Sequence, residues 1–256
     1  MTGFAAATYL RGVPFVQAPT TLLAQVDASV GGKTGVDLPQ GKNLVGAFHQ
    51  PSAVVIDTAT LRTLPLRELR SGLSEVIKYG IIYDEAFLSS VVNALPALLK
   101  RDESLLTAAI ARSCEIKAEV VGQDETEQGL RAILNFGHTI GHALEAVTAY
   151  RRFKHGEAIA IGMIAACLLG EEVGVTPSEV TAKVRAALQQ AGLPTAFPED
   201  IDIDSILDAA QRDKKTEAGR LRFVLARGIG DVFVSPNVPE EAVRAALARQ
   251  TRRSDA

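Results

Sequence analysis

Cysteine is scarce in this sequence, and its scarcity indicates the redox compartment in which the protein works. The 256 residues contain two cysteines, Cys114 and Cys167, which are far apart in the chain. They form neither a CxxC pair nor the closely spaced set that a disulfide framework needs. The start of the chain also lacks the basic residues and cleavage pattern of a secretory signal peptide. We therefore expect a protein of the reducing cytoplasm.

Two further absences exclude classes of partner. The longest apolar run, Ala158–Leu169, is too short to cross a bilayer and is typical of a buried core helix. The formal net charge is −3 and no long basic run occurs, which argues against nucleic acid as the main partner. We therefore expect no membrane and no nucleic acid partner. With 47% hydrophobic and 22% charged residues, the chain can bury a core in one or two domains.

The pattern of apolar residues divides the chain into two parts. Residues 1–62 alternate short β-like runs with glycine-rich turns, whereas the pattern from Pro65 onward is helical almost throughout. Val13–Pro19 and Ser52–Thr58 are predicted to be buried strands, with a loop over residues 27–43 between them. The first part makes a poor domain alone, because two strands do not close a sheet.

The second part is predicted to be mostly α-helical. Apolar spacing predicts helices over Arg67–Tyr83, Glu85–Lys100, Ser104–Val121, Leu130–Thr148, His155–Val173, Pro177–Ala191 and Ile203–Gln211. Near the end of the chain, two short strands are predicted around Gly228 and Gly230, and a closing helix over Pro239–Arg249.

A line of polar groups runs along one of these apolar helices. Four side chains are spaced i, i+4, i+7 and i+11 and would share one stripe of the helix: Arg131, Asn135, His138 and His142. Such groups are costly to bury without partners. A metal ion together with an anionic substrate would satisfy them.

The same region offers several metal ligands, and spacing alone leaves the set open. His138 and His142 form an i, i+4 pair of the kind that binds Zn²⁺ in helical motifs. The third ligand is either His155, at the start of the next helix, or Glu75, which forms a polar i, i+3 pair with Lys78 on an apolar helix. A lone histidine is more often a satisfied core group, but three beside inward charges favour a functional site.

A loop rich in glycine and lysine is a second candidate site. The letters GKT at residues 32–34 end like a P-loop, but Asp27 stands where that motif requires its first glycine. We interpret the loop as an anion-binding cradle that contains Lys33, Lys42 and Asn43 beside Asp27. A plain glycine turn is the alternative.

Other polar residues have two interpretations each. Thr20 and Thr21 lie where a helix begins and either hold a phosphate or, for Thr20, cap the helix. Lys117 lies in an apolar helix, and Lys214 and Lys215 lie in a turn. Single lysines are usually solvated surface charges. This interpretation suits Lys117 least, because Lys117 lies in an apolar helix. The dinucleotide fingerprint G-x-G-x-x-G is absent from the sequence.

Long stretches of the sequence resemble the 3-dehydroquinate synthases, which catalyse the second step of the shikimate pathway. The stretches are GFAAATYLRG, QAPTTLLAQVDASVGGKTGVDLPQGKNLVGAFHQP, LRSGLSEVIKYGII, LNFGHTIGHALE, KHGEAIAIGM, and DKK followed by LRFVL. The resemblance covers essentially the whole chain and implies the fold of that family. Residues 1–62 would be the C-terminal part of an α/β NAD-binding domain, and residues 63–256 a helical metal- and substrate-binding domain.

The resemblance also implies roles for individual residues. The metal ligands would be Glu75, His138 and His155, so that His142 would be an acid–base group beside the metal. Substrate contacts would come from Asp27, Lys33, Asn43, Lys78, Lys117, Arg131, Asn135, His142 and either Lys214 or Lys215. NAD would contact Thr20, Thr21, Lys33, Lys42, Thr60, Leu61, Arg62 and Thr63. Arg11 would reach across a homodimer interface to the neighbouring subunit's substrate.

The implied reaction converts 3-deoxy-D-arabino-heptulosonate 7-phosphate into 3-dehydroquinate and phosphate. The implied cofactors are NAD and a divalent metal, Zn²⁺ or Co²⁺. In the family, NAD⁺ oxidises a ring hydroxyl that the metal polarises. Phosphate is then eliminated, hydride returns to the substrate, and an intramolecular aldol step closes the carbocycle.

Three other functions remain open at this point. A metal-dependent polyol dehydrogenase would release NADH with glycerol-like alcohols, and it would have no use for several cations around one substrate. Another sugar-phosphate cyclase would prefer a heptulose phosphate without a carboxylate, for which Arg131 and Lys117 would lack a partner. A non-catalytic remnant would bind metal and release no phosphate.

Members of the family carry an upstream nucleotide-binding segment, with a glycine-rich turn directly before the stretch TGFAAATYLRG. We therefore expect the 256-residue chain alone to bind NAD weakly and to turn over little. The measurement is kcat for this chain and for a version extended upstream, and equal values would contradict the expectation.

Overall fold

The computed structural model describes residues 1–38, 41–127, 129–213 and 221–252. Nine α-helices are found among these residues: α1 (Thr2–Thr8), α2 (Leu66–Tyr83), α3 (Glu85–Leu98), α4 (Glu103–Gln123), α5 (His138–Val147), α6 (His155–Glu172), α7 (Ser178–Gln190), α8 (Ile203–Asp213) and α9 (Glu240–Arg252). Shorter helical turns are the 3-10 segments Tyr9–Arg11, Thr58–Thr63 and Leu130–Asn135 and the π-helix Ala24–Ala28. The predicted helices outside residues 130–148 are confirmed within three residues at each end.

Two helices form the centre of the core. In α2, every residue from Ser71 to Ile82 is buried, and in α6 the buried run extends from Ala158 to Gly170. Helical runs that are buried on all sides belong in the interior of a domain, where other elements cover each face. Here α5, α7, α9 and the strand Phe223–Gly228 pack against α6, while α3 and α4 pack against α2.

Six strands form three two-stranded pairs in the described part of the chain. The parallel pair is β1 (Val16–Gln17) with β4 (Ala53–Val54), and the antiparallel pairs are β2 (Lys33–Leu38) with β3 (Gly41–Phe48) and β5 (Phe223–Gly228) with β6 (Asp231–Ser235). The two predicted strands near the C-terminus are therefore confirmed. This is the predicted order of an α/β segment followed by a mostly helical part.

Two expectations for the first segment are wrong. The predicted loop over residues 27–43 is largely strand, because residues 33–38 pair back onto residues 41–48 with Val36 opposite Val45. The strands β1 and β4 are two residues long and are not buried, since Val16 is 54% and Val55, just after β4, 59% exposed. β1 and β4 pair only with each other among the described strands, and a short pair leaves its outer faces uncovered.

The predicted helix over Leu130–Thr148 is broken. A 3-10 segment ends at Asn135, and α5 begins only at His138, after Gly137 with φ of +79°. A β-carbon on Gly137 would lie 2.7 Å from the Met163 backbone nitrogen on α6. Glycine is needed because the backbone conformation is left-handed and α6 is in close contact. The stripe of four polar groups is therefore not a helical stripe, and other geometry must bring those groups together.

Aspartate and threonine side chains cap several helices. Asp84 Oδ1 accepts a hydrogen bond from Phe87 N (2.9 Å) at the start of α3, and Asp102 Oδ1 accepts one from Leu105 N (3.0 Å) at the start of α4. Thr21 Oγ1 accepts from Ala24 N (3.2 Å). The capping hydroxyl that the sequence suggested at Thr20 therefore belongs to Thr21. Among the described residues, none of the helices combines the length and apolar character that a membrane span requires.

The contact between α5 and α6 yields a stability prediction. A β-carbon on Gly162 of α6 would lie 1.9 Å from the Gly137 carbonyl oxygen, so Gly162→Ala must separate the two backbones. We expect it to lower the free energy of unfolding by about 1–3 kcal/mol or more, measured by urea denaturation.

Gly122→Ala is the matched control for this substitution. Gly122 also lies within a helix, α4, but a β-carbon there would meet no atom within 4 Å. Alanine favours helices over glycine, so this variant should be neutral or more stable by up to about 1 kcal/mol. Equal effects of the two substitutions would contradict the packing argument.

Candidate active site

Three side chains from three helices converge on one point. Glu75 lies in the middle of α2, while His138 and His155 are the first residues of α5 and α6. Nε2 of His138 and Nε2 of His155 each lie 3.6 Å from Oε1 of Glu75, and the candidate ligand atoms are all within 4.8 Å of one another. Ligands of a tetrahedral Zn²⁺ at about 2.1 Å from the ion are roughly 3.4 Å apart. The spacing therefore fits one divalent ion.

Local contacts at the helix starts hold these ligands in place. Ser71 lies one turn before Glu75 on α2, and its hydroxyl oxygen accepts a hydrogen bond from Gly156 N (2.9 Å). Because Gly156 follows His155, this bond holds the start of α6 beside Glu75. At the start of α5, Nδ1 of His138 donates to the Phe136 carbonyl oxygen (3.1 Å).

The Glu75 carboxylate is buried and negatively charged. The Lys78 ammonium forms an ion pair with Oε2, but neither oxygen accepts a hydrogen bond of good geometry from the described residues. Burial would raise the pKa of this carboxyl group, yet Lys78 and His155 together lower the pKa to about 2. A buried anion without hydrogen bonds is costly, and a cation would offset that cost. The donor set therefore fits a divalent metal.

The two histidines differ in charge. Burial, together with the charges of Lys78 and His142, holds the pKa of His138 well below its ordinary value, so its Nε2 is free to bind a metal. Burial would also lower the pKa of His155, but Glu145 and Glu75 raise this pKa to about 9. Protonated His155 thus faces Glu145 with Nδ1–H and Glu75 with Nε2–H, and a metal ion would take the place of the Nε2 proton.

A second group of donors shares His155 with the first. His142, Glu145 and His155 also offer ligand atoms within 4.8 Å of one another. His138 and His142, which spacing suggested as a ligand pair, fall into different groups, although their rings are in edge contact with centroids 5.2 Å apart. The geometry thus favours the ligand set that the family resemblance implies over the pair suggested by spacing.

Two adjoining cavities of about 320 and 270 Å³ open beside these donors. Nine of the predicted site residues line the smaller one: Asp27, Lys33, Lys78, Lys117, Arg131, Asn135, His138, His142 and His155. Several positively charged side chains thus surround one space next to the candidate metal ligands. This arrangement suits a substrate that carries more than one negative charge.

Asp27 and Lys117 form one wall of the cavity. The Lys117 ammonium donates to Oδ1 (2.6 Å) and to the backbone oxygen (2.5 Å) of Asp27. Burial would raise the pKa of Asp27, but Lys117 lowers it below its usual value. Asp27 lies in the π-helix and not in a phosphate-binding loop, which excludes the P-loop interpretation.

Arg131 is buried at the cavity edge, where backbone oxygens hold it. One Nη donates to the Gly31 carbonyl oxygen (2.8 Å), and the other contacts the Glu125 carbonyl oxygen. These bonds hold the guanidinium against the loop before β2. A charged group fixed in this way is ready for an anion without reorganising.

Glu127 also lines both cavities, although the sequence offered no reason to single it out. One of its oxygens accepts from Asn135 Nδ2 (2.6 Å), and the other forms an ion pair with Lys33. Its φ of +61° is left-handed, a strained conformation for a residue other than glycine. In the sequence it is one of several acidic residues in a polar segment, and only the folded chain brings it to Lys33 and Asn135.

Of the predicted NAD contacts, Lys33 lines both cavities, whereas those in the segments after β1 and β4 line neither. Gln25 is buried, and its Nε2 lies within hydrogen-bond distance of the Pro19 oxygen (3.3 Å), the Asp57 oxygen (3.3 Å) and Thr60 Oγ1 (3.2 Å). It thereby joins the segments that follow β1 and β4, which contain the predicted contacts Thr20, Thr21, Thr60, Leu61, Arg62 and Thr63. Ligands of α/β sheets bind beyond the carboxyl ends of parallel strands. Leu61 is buried in the core, so only its backbone could meet a ligand.

The remaining predicted residues are elsewhere. Arg11 is exposed on the 3-10 segment Tyr9–Arg11 and lines neither cavity. Lys214 and Lys215 lie outside the described residues. For Lys42 and Asn43 the structure describes the backbone but not the side chains. Their assignments stay predictions.

Sequence comparison relates the chain to one family. Residues 1–71 match the family described as 3-dehydroquinate synthase N-terminal, and residues 72–216 match 3-dehydroquinate synthase C-terminal. The 3-dehydroquinate synthase of Nostoc punctiforme is 53% identical over 249 residues, which are 96% of this chain and 69% of the relative. The two matched ranges meet inside α2, so the predicted division after residue 62 stays a prediction.

Two solved structures are similar over nearly the whole chain. The 2-epi-5-epi-valiolone synthase of Streptomyces hygroscopicus subsp. jinggangensis, with NAD⁺ and Zn²⁺ bound, has a TM-score of 0.90 at 29% identity and covers 99% of this chain and 70% of its own. A 2-deoxy-scyllo-inosose synthase in complex with carbaglucose-6-phosphate, NAD⁺ and Co²⁺ has a TM-score of 0.88 at 28% identity, with coverage of 97% and 70%.

The pair of Asp27 and Lys117 yields a second stability prediction. Lys117→Met would leave the partly buried Asp27 carboxylate without its ion-pair partner and should destabilise the fold by about 1–3 kcal/mol at neutral pH, measured by urea denaturation. Because Lys117 lowers the pKa of Asp27 in the folded state, the pair stabilises the fold above the ordinary aspartate pKa of 3.8. This stabilisation is lost as the pH falls through the folded-state pKa.

The double variant Asp27→Asn/Lys117→Met is the control for this prediction. It removes both charges, so it should be less destabilised than Lys117→Met alone at neutral pH, and the difference should shrink below pH 3.8. A difference that is independent of pH would contradict the assignment of the effect to this ion pair.

Proposed function

The chain belongs to the 3-dehydroquinate synthase family, and on that premise we propose that it acts on 3-deoxy-D-arabino-heptulosonate 7-phosphate. The products are 3-dehydroquinate and phosphate, which makes the reaction an elimination followed by ring closure. The observation that carries the proposal is the convergence of Glu75, His138 and His155 beside a cavity lined by several positive charges.

Glu75, His138 and His155 would hold the metal, and the segments after β1 and β4 would hold NAD. When bound, a divalent ion such as Zn²⁺ or Co²⁺ supplies Lewis acidity to a substrate oxygen, and NAD accepts and returns a hydride. The two solved relatives with NAD⁺ and Zn²⁺ or Co²⁺ support this choice of cofactors. Lys78 keeps the Glu75 carboxylate ionised and ready for the cation.

The cations in the cavity would bind the two acidic ends of the substrate. Lys33 is half exposed and pairs with the carboxylate of Glu127. An anionic oxygen of the substrate would take the place of that carboxylate as the partner of Lys33. Arg131 is buried and fixed by backbone oxygens, which suits a planar carboxylate. His142 lines both cavities beside His138, within reach of a substrate proton.

Three further parts of the proposal concern context. The protein would form a homodimer in which Arg11 reaches the neighbouring subunit's substrate, and it would work in the cytoplasm. Residues 1–62 would belong to the NAD-binding domain and residues 63–256 to the metal- and substrate-binding domain. The 2-deoxy-scyllo-inosose synthase complex with a sugar phosphate supports a phosphorylated substrate.

Zinc content and phosphate release in the same preparation test the proposed function. We expect one Zn²⁺ per chain by elemental analysis. Glu75→Gln and His138→Ala should weaken Zn²⁺ binding by more than the roughly 10- to 100-fold that is typical for partners outside the ligand set. Phosphate release from the acid substrate with NAD⁺ should follow zinc content, measured on this chain and on a version extended upstream.

His49→Asn is the matched control for these variants. His49 stacks on Phe15 and lines neither cavity, so its replacement should leave Zn²⁺ binding unchanged. Bound zinc without phosphate release from the extended version would favour a non-catalytic protein. Faster release from a heptulose phosphate without the carboxylate would favour a different cyclase, and net NADH formation with glycerol would favour a polyol dehydrogenase.

A further inference from the structure

Glu145 is a buried carboxylate that neither the ligand set nor the substrate contacts use. It lies on α5, seven residues after His138, and its Oε1 is 3.5 Å from Nδ1 of His155. We infer that Glu145 is a positioning residue: it accepts the Nδ1–H of His155 and so directs Nε2 of that ring toward Glu75 and the metal. This inference rests on the metal site of the proposed function.

The two histidines are held in the same way by different acceptors. Nε2 of each ring lies 3.6 Å from the same Glu75 oxygen. Behind each ring, Nδ1 faces an acceptor, which is the Phe136 carbonyl oxygen (3.1 Å) for His138 and the Glu145 carboxylate for His155. With a metal ion at Nε2, each ring would keep its proton on Nδ1, facing the acceptor, and would offer its Nε2 lone pair to the ion.

The two acceptors differ in charge, and this difference gives Glu145 its specific effect. A carbonyl oxygen orients His138 without adding charge. A carboxylate also makes the imidazole of His155 more basic and places a negative charge close to the bound cation. His155 should therefore depend on its acceptor more strongly than His138 does.

A competing interpretation makes Glu145 a ligand of a second metal ion. His142, Glu145 and His155 do lie within 4.8 Å of one another. Two ions would then occupy both nitrogens of the His155 ring, which would have to lose both ring protons. The positioning role needs only one ion and a neutral imidazole, so metal stoichiometry separates the two interpretations.

Zinc affinity of the full chain, measured by competition with a chromophoric chelator, tests the inference. Glu145→Ala should weaken Zn²⁺ binding about 10- to 100-fold. Glu145→Gln keeps the shape of the side chain and offers an amide oxygen to Nδ1–H. This variant should therefore lose clearly less Zn²⁺ affinity than Glu145→Ala. Glu171→Gln on α6 is the matched control, because Glu171 pairs with Arg249 and lines neither cavity, and it should not change the affinity.

A double-variant cycle distinguishes positioning of His155 from a general effect on the fold. In a His155→Ala background, the further change Glu145→Ala should weaken Zn²⁺ binding by less than about two-fold, since the ring that it orients is gone. An undiminished loss in that background would overturn the inference. If Glu145→Ala fails to fold by circular dichroism, Glu145→Gln decides: a measurable loss of Zn²⁺ affinity that disappears in the His155→Ala background supports the inference, and an unchanged affinity overturns it.

Other outcomes separate this inference from the proposed function. Unchanged affinity in both Glu145 variants, or two Zn²⁺ per chain of which Glu145→Ala loses one, would overturn the inference alone. Absence of Zn²⁺ binding by the unmodified chain would overturn both. Zinc binding that depends on Glu145, together with no phosphate release from the extended version, would support the inference and contradict the proposed activity.

Discussion

The charge on Glu75 is the constraint on which the site depends. This carboxylate lies in the middle of α2, where every neighbour along the helix from Ser71 to Ile82 is buried. Removal of an ionised group from water costs on the order of several kcal/mol, which its surroundings must offset. Lys78 provides one positive charge and the two histidines provide nitrogen donors, and a divalent cation would complete the balance. The buried charge thus accounts for the polar groups that gather around an otherwise apolar helix.

Close packing of the starts of α5 and α6 brings those groups to the carboxylate. The tight contact between Gly137 and Gly162 fixes the beginning of α5 against α6, and the bond from Gly156 to Ser71 fixes the beginning of α6 against α2. These contacts also fix the positions of His138 and His155, because His138 directly follows Gly137 and His155 directly precedes Gly156. Stability and metal binding therefore depend on the same interface.

The sequence was sufficient for much of the architecture. Helix positions followed from apolar spacing because each helix must bury a stripe of its surface, and this rule holds without knowledge of its partners. It failed at residues 130–148, where a left-handed glycine interrupts an apolar pattern that reads as continuous. The loop predicted over residues 27–43 was also wrong, since strand pairing of residues 33–38 with residues 41–48 overrides a composition that is typical of loops. Both errors concern long-range contacts that periodicity does not register.

In the candidate site, too, some features were predictable from the sequence and others depended on long-range contacts. Residue types and their family pattern predicted Glu75, His138 and His155 as the metal ligands, and the structure brings these three side chains together beside a cavity that most of the other predicted site residues line. Spacing alone suggested His138 with His142, since two histidines four residues apart share one face of a helix. Glu127 escaped notice because acidic residues in polar segments are common, and Glu145 because its distance to the His155 ring cannot be read from its position in the sequence. Only the tertiary structure decided which carboxylate faces which ring, since distances between separate helices are set by packing and not by position along the chain.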